Sequence, residues 1–186
     1  MRILCFGDSN TYGFDPRPPM GGRYSADNRW VDLLAAKTGW EVINAGENGR
    51  EIPRHESEFN RFQRLFQECA PIDRLTVMLG GNDLLRGASP ETVADRMEAF
   101  LTQISMDRSR IILIASPPIQ LGSWVPDAKL LDEVAKLTAQ LKKLADKLHV
   151  RFIDTSDWSI ELAFDGVHLT ENGHRTFAQR LHQALT

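Results

Sequence analysis

Short apolar, partly β-branched runs alternate along this chain with longer stretches of helical periodicity, and that alternation constrains the fold more than any other feature. The runs are Ile3–Phe6, Trp40–Asn44, Leu75–Leu79, Ile111–Ala115 and Arg151–Ile153. Between them apolar residues recur every three or four positions, most regularly at Leu130, Val134, Leu137, Leu141, Leu144 and Leu148. Further helices are predicted around Trp30–Ala35 and Phe59–Phe66, and from Pro90 behind an N-cap at Ser89. A last helix follows Thr170, with Phe177, Leu181 and Leu185 on one face. Strands alternating with helices imply right-handed βαβ units, hence a parallel sheet covered on both faces.

At 186 residues the chain has the size of one globular domain. No repeat, low-complexity tract or Pro/Ser-rich linker divides it, so residues 1–186 are expected to form one domain. Hydrophobic residues at 42% and charged residues at 25% exclude a disordered or collagenous chain. The apolar runs fall far short of the roughly 18–20 residues of a membrane helix. A formal net charge of −3 leaves no electrostatic footprint for nucleic acid. Neither a membrane nor a nucleic acid is therefore expected as partner, which leaves a small-molecule substrate, and homo-oligomerisation stays open. Cys5 and Cys69 read as small apolar residues, and there is no HExxH motif or Cys/His cluster. No metal and no other cofactor is expected. The run after Met1-Arg2 is too short for a signal peptide, which makes the expected location cytoplasmic.

In open α/β sheets, ligands gather beyond the carboxyl ends of the strands. Four polar clusters follow predicted strands: Gly7-Asp8-Ser9-Asn10, the stretch Asn44 to Arg50, Gly80-Gly81-Asn82-Asp83, and Asp165-Gly166-Val167-His168. Singly, each has an ordinary reading. Ser9 could be a helix cap, Asn82 a turn residue, Gly49 a position needing positive φ, and Asp165/His168 a surface pair. Together they supply a nucleophile, a base, a carboxylate to orient it, and donors for an oxyanion. His55, His149, His174 and His182 read as loop, capping or helix-face residues. The connection from Gly7 to Asn28 is far longer than the two to six residues usual for a βα loop, and such connections tend to carry function.

These clusters resemble the motif blocks of the GDSL, or SGNH, hydrolases. Gly7-Asp8-Ser9 is similar to the first block, which implies Ser9 as nucleophile. Gly80-Gly81-Asn82-Asp83 resembles the Gly-x-Asn-Asp block, which implies Asn82 as an oxyanion donor alongside the Ser9 N–H. Asp165-Gly166-Val167-His168 resembles the last block, with His168 as base and Asp165 as its orienter. Both Gly46 and Gly49 are candidates for the oxyanion glycine, and the resemblance implies Gly49, because the family often sets an Asn at the strand end five residues before that glycine, as Asn44 stands here. The resemblance implies a three-layer α/β/α sandwich with a five-stranded parallel sheet in flavodoxin-like order. It also implies ester hydrolysis through an acyl-serine, with acyl transfer to alcohols as a further option. The stretches around Tyr12-Gly13-Phe14 and Asn28-Arg29-Trp30 look most like the arylesterase and acyltransferase branch.

Asn10 departs from the leucine of the family signature. With Tyr12, Phe14 and Trp124, it is expected to contact substrate and restrict the acyl group to a short one. Two other readings stand beside this one. The same site could serve a carbohydrate O-deacetylase or a thioesterase. Alternatively, Ser9, Asn10 and Thr11 could cradle phosphate in a flavodoxin-like flavin-binding module. Tyr12 speaks against that cradle, and Gly-x-Ser-x-Gly is absent around Ser9, which argues against an α/β-hydrolase elbow.

Overall fold

A computed structural model describes residues 1–186. The chain opens with β1 (Arg2–Gly7) and a one-turn helix α1 (Ser9–Tyr12), then a small antiparallel hairpin of β2 (Phe14–Asp15) and β3 (Gly22–Arg23). Helix α2 (Trp30–Thr38) precedes β4 (Glu41–Gly46), α3 (Glu56–Glu68) and β5 (Arg74–Met78). After β5 come a short α4 (Gly81–Leu85) and α5 (Pro90–Thr102). The rest of the chain is β6 (Ile111–Ile114), α6 (Lys129–Leu148), β7 (Arg151–Ile153) and α7 (Glu171–Leu185). Five strands make one parallel sheet in the order β4-β1-β5-β6-β7, the flavodoxin-like order expected.

Alternation along β1 assigns the two cores. Leu4 and Phe6 join Phe62 of α3, Met97 and Phe100 of α5, and Leu137, Leu141 and Leu144 of α6. Ile3 and Cys5 face the opposite way, onto Trp30 and Leu34 of α2 and Phe177 and Leu181 of α7. Each such buried side chain stabilises the fold by roughly 1.5–3 kcal/mol. Ser89 and Thr170 cap α5 and α7 as expected, accepting from the N–H groups of Thr92 and Gly173. No helix is long and apolar enough to cross a membrane.

The stretch read as one long connection holds α1 and the β2–β3 hairpin. Elements of four and two residues are too short to register as a period. In the sheet, Gly7 lies opposite both Gly46 and Met78. Strands β1, β4 and β5 therefore end at one level, and the segments leaving them emerge side by side.

One histidine has a structural task its helix position did not reveal. Arg29 precedes α2 without a side-chain cap, and the Trp30 N–H donates instead to Nδ1 of His174 on α7, at 3.3 Å. His174 is fully buried, edge-on to Tyr24. Burial, reinforced by the positive charge of Arg29 and by His168, lowers its pKa from 6.5 to about 3. The unfolded chain thus takes up a proton below pH 6.5 that the folded chain refuses, so this contribution to stability falls as pH drops from 6.5 toward 3. Asp8 works in the opposite direction. Its buried carboxyl is raised to about 6, so its protonation below that pH favours the folded state. Comparison of wild type with His174→Gln isolates the histidine. The stability difference is expected to shift in favour of the variant by about 1.4 kcal/mol per pH unit below 6.5. Parallel urea melts from pH 7.5 to 5 check this; a difference that does not change with pH would contradict it.

Candidate active site

Asp8 caps α1, its carboxylate accepting from the Asn10 N–H at 3.0 Å, and so fixes Ser9 as the first residue of that helix. The Ser9 hydroxyl donates to Nε2 of His168 at 2.9 Å. Nδ1–H of the same ring donates to Asp165 at 2.7 Å. The other Asp165 oxygen accepts from the N–H groups of Val167 and His168, each at 2.9 Å. Burial pushes the Asp165 carboxyl up, but the hydrogen bonds from the His168 ring and from these two N–H groups outweigh it. Its pKa lies below the ordinary carboxylate value. An ionised Asp165 holds the proton on Nδ1 and leaves the Nε2 lone pair facing Ser9. All three side chains are buried.

Donors converge from the neighbouring strand ends. The Ser9 N–H opens α1, where a helix offers no internal acceptor. Asn82, on α4, gives one amide hydrogen to the Arg50 carbonyl at 3.0 Å, which orients the group and leaves its second hydrogen free. Gly49 has φ 72, a conformation that favours glycine, and its N–H has no acceptor within the protein. Gly46 differs on both counts. Its N–H is bonded to the Asn44 side chain at 2.9 Å, and a Cβ there would sit 2.0 Å from the Tyr12 nitrogen. Gly46 is a packing glycine, and the free N–H belongs to Gly49.

Ser9, Gly49, Asn82 and His168 share the wall of an open cleft of about 380 Å³ with Phe14, Trp124 and Arg86. The Phe14 ring lies 4.6 Å from the His168 ring, and the half-exposed Trp124 stands edge-on to it at 4.9 Å. Trp124 is held there because the β6–α6 connection is hydrogen-bonded to the Asp165 loop, through Gln120 N–H to Gly166 and Trp124 N–H to Asp165. A second, smaller pocket of about 30 Å³ begins at Ser9 and Asn82 and runs inward between Leu85, Ile119, Leu130 and Val134. A larger groove of about 840 Å³ lies between residues 45–54 and α3, but it contains neither Ser9 nor His168. Its arginines and glutamates largely pair with one another, as Arg50 and Arg61 do with Glu47.

One expected substrate contact needs correction. Tyr12 does not line the cleft. The hairpin captures it: Arg23 lies over its ring at 4.2 Å and donates to its carbonyl at 2.9 Å. Asn10 borders the inner pocket, yet both ends of its side chain are engaged within the protein, by Val167 and Leu169. Sequence reading missed Leu85, Ile119, Leu130 and Val134 as pocket walls. Leu130 and Val134 belong to the apolar stripe of α6 and pack against the core, and such a stripe gives no sign that its first turns also face a cavity. No three His, Cys, Asp or Glu side chains gather as a metal site requires. The Ser9 hydroxyl is turned into His168 rather than open at a helix end, so the phosphate-cradle reading is set aside.

Comparison with known proteins identifies the family of this chain and matches its fold. The family model for the GDSL-like lipase/acylhydrolase family matches residues 5–176. An aryl esterase of M. smegmatis superposes with a TM-score of 0.83 at 24% identity, covering 99% of this chain and 97% of that one. A carbohydrate acetylesterase from Sinorhizobium meliloti gives 0.84 at 22%, over 100% and 98% of the two chains. A member of the lipolytic G-D-S-L family from Veillonella parvula gives 0.76 at 22%, over 98% and 97%. No curated protein matches the sequence.

Proposed function

The chain belongs to the GDSL-like lipase/acylhydrolase family and is a carboxylic ester hydrolase, and from that premise we propose that it cleaves esters of short acyl groups through an acyl-Ser9 intermediate. The observation that carries this reading is the hydrogen-bonded chain Ser9–His168–Asp165 beside three N–H donors with hydrogens to offer.

His168 Nε2 takes the Ser9 proton as Oγ attacks the ester carbonyl carbon, and the carbonyl π electrons move onto oxygen. That oxyanion is received by the Ser9 and Gly49 N–H groups and the free Asn82 amide hydrogen. Asp165 stabilises the imidazolium that forms. As the carbonyl re-forms, the bond to the leaving alcohol breaks, and His168 returns the proton to that alcohol. Water, activated by the same imidazole, then releases the acid. An acceptor alcohol entering the open cleft in place of water would give acyl transfer instead.

Substrate size follows from the two cavities. The inner pocket is small and its far walls, Leu85, Ile119, Leu130 and Val134, are apolar, which suits acetyl to butyryl chains. The larger cleft, edged by Phe14 and Trp124, is left for the alcohol. A screen of p-nitrophenyl esters from acetate to decanoate, with acetylated sugars and thioesters alongside, tests this. We expect kcat/KM to be highest for acetate to butyrate and to fall by about tenfold or more at octanoate, since a longer chain meets Leu130 and Val134. Leu130→Ala is expected to move the optimum to longer chains. A steady rise to decanoate in wild type would refute the short slot.

A further inference from the structure

The residue after Ser9 ties both halves of the site together. Asn10 is buried, and its Nδ2 donates to the Val167 carbonyl at 3.1 Å while its Oδ1 accepts from the Leu169 N–H at 3.0 Å. Those two groups belong to the residues on either side of His168. The Asn10 carbonyl accepts in turn from the Trp30 indole N–H at 2.9 Å, and its backbone N–H is held by Asp8. One residue is thus anchored to α2, to the cap of α1, and to the backbone bracketing His168. The partners across the site lie 157 and 159 residues away in sequence.

We infer that Asn10 is a positioning residue that sets the separation between Ser9 Oγ and His168 Nε2. The inference rests on the acyl-serine reading above. Two hydrogen bonds, one given and one accepted, fix both the height and the tilt of the peptide carrying the imidazole. Only a side chain with a donor and an acceptor on one planar head can do this from position 10. The leucine of the family signature can do neither. Proton transfer from Ser9 depends steeply on distance, and a displacement near 1 Å costs about 100-fold. Asn10 acts through His168 and needs no contact with substrate.

The test compares Asn10→Leu, which keeps the volume, with Asn10→Asp, which keeps the acceptor but sets a second oxygen against the Val167 carbonyl. Kinetics with p-nitrophenyl acetate, melting temperature and Ser9→Ala as a control are measured together. Asn10→Leu is expected to lower kcat by about 10–100-fold with KM within about twofold, at temperatures well below its own melt. Fluorophosphonate labelling of Ser9 should slow by the same factor. Asn10→Asp should retain more activity than Asn10→Leu below about pH 5, measured relative to wild type at each pH, because a protonated carboxyl restores the missing donor. A folded Asn10→Leu with wild-type kcat overturns the inference while leaving the acyl-serine reading intact. So does an Asn10→Asp that loses activity in constant proportion at every pH. Should Ser9→Ala itself remain active, the acyl-serine reading falls and takes the inference with it, so the control separates the two failures.

Discussion

Ser9→Ala is expected to lower kcat by about 10⁴–10⁶-fold while leaving the protein folded. The hydroxyl makes a single hydrogen bond, to His168, and its loss exposes no core residue. The helix cap at Asp8 and the bonds of Asn10 do not involve the Ser9 side chain. His168→Ala should cost a comparable factor, because without a base the hydroxyl keeps its proton. The two losses should not multiply: groups that act as one unit fail together, so the double variant should be little worse than the poorer single one. Initial rates with p-nitrophenyl acetate, read beside thermal melts, decide this. A Ser9→Ala protein within tenfold of wild type would remove the nucleophile assignment outright.

Asn82→Ala is expected to lower kcat by about 10²–10³-fold, or roughly 3–4 kcal/mol of transition-state stabilisation, at nearly constant KM. Its free amide hydrogen meets an oxygen that bears charge only after attack, so substrate binding barely senses it. The bond to the Arg50 carbonyl is lost as well, which costs about 1 kcal/mol and a few degrees in Tm. Asn82→Asp should be slower still, since a carboxylate would face the developing oxyanion. A variant that melts far earlier yet keeps wild-type kcat would show that Asn82 merely holds the turn onto Arg50.

The sheet and the principal site residues were legible for one reason. Apolar runs mark the strands, and the candidate chemistry sits just beyond their ends, so Ser9, Asn82 and the Asn44–Arg50 stretch stood out by position, while Gly49 was picked from that stretch by the family resemblance. His168 and Asp165 were legible through their three-residue spacing, which lets one short turn bring ring and carboxylate together. What stayed hidden depends on distant contacts. Tyr12 looked like a pocket aromatic until the hairpin supplied Arg23 to cover it. Asn10 gave no sign that it also ties down the backbone around His168, because its partners, Val167 and Leu169, are remote in sequence. His174 gave no local sign that it closes the open end of α2. The inner pocket draws on α4, α6 and the β6–α6 connection at once, and no single segment announces it.

Catalysis through a covalent Ser9 intermediate is the central claim, and mass spectrometry of the protein treated with an alkyl fluorophosphonate tests it most directly. Ser9 is the one serine whose hydroxyl meets a histidine backed by a buried carboxylate. The expected result is one adduct per chain, on the peptide containing Ser9, with esterase activity lost in step with labelling. Both should be absent in Ser9→Ala and strongly slowed in His168→Ala. An adduct on Ser116 or another serine, or full ester hydrolysis by a protein quantitatively labelled at Ser9, would contradict it.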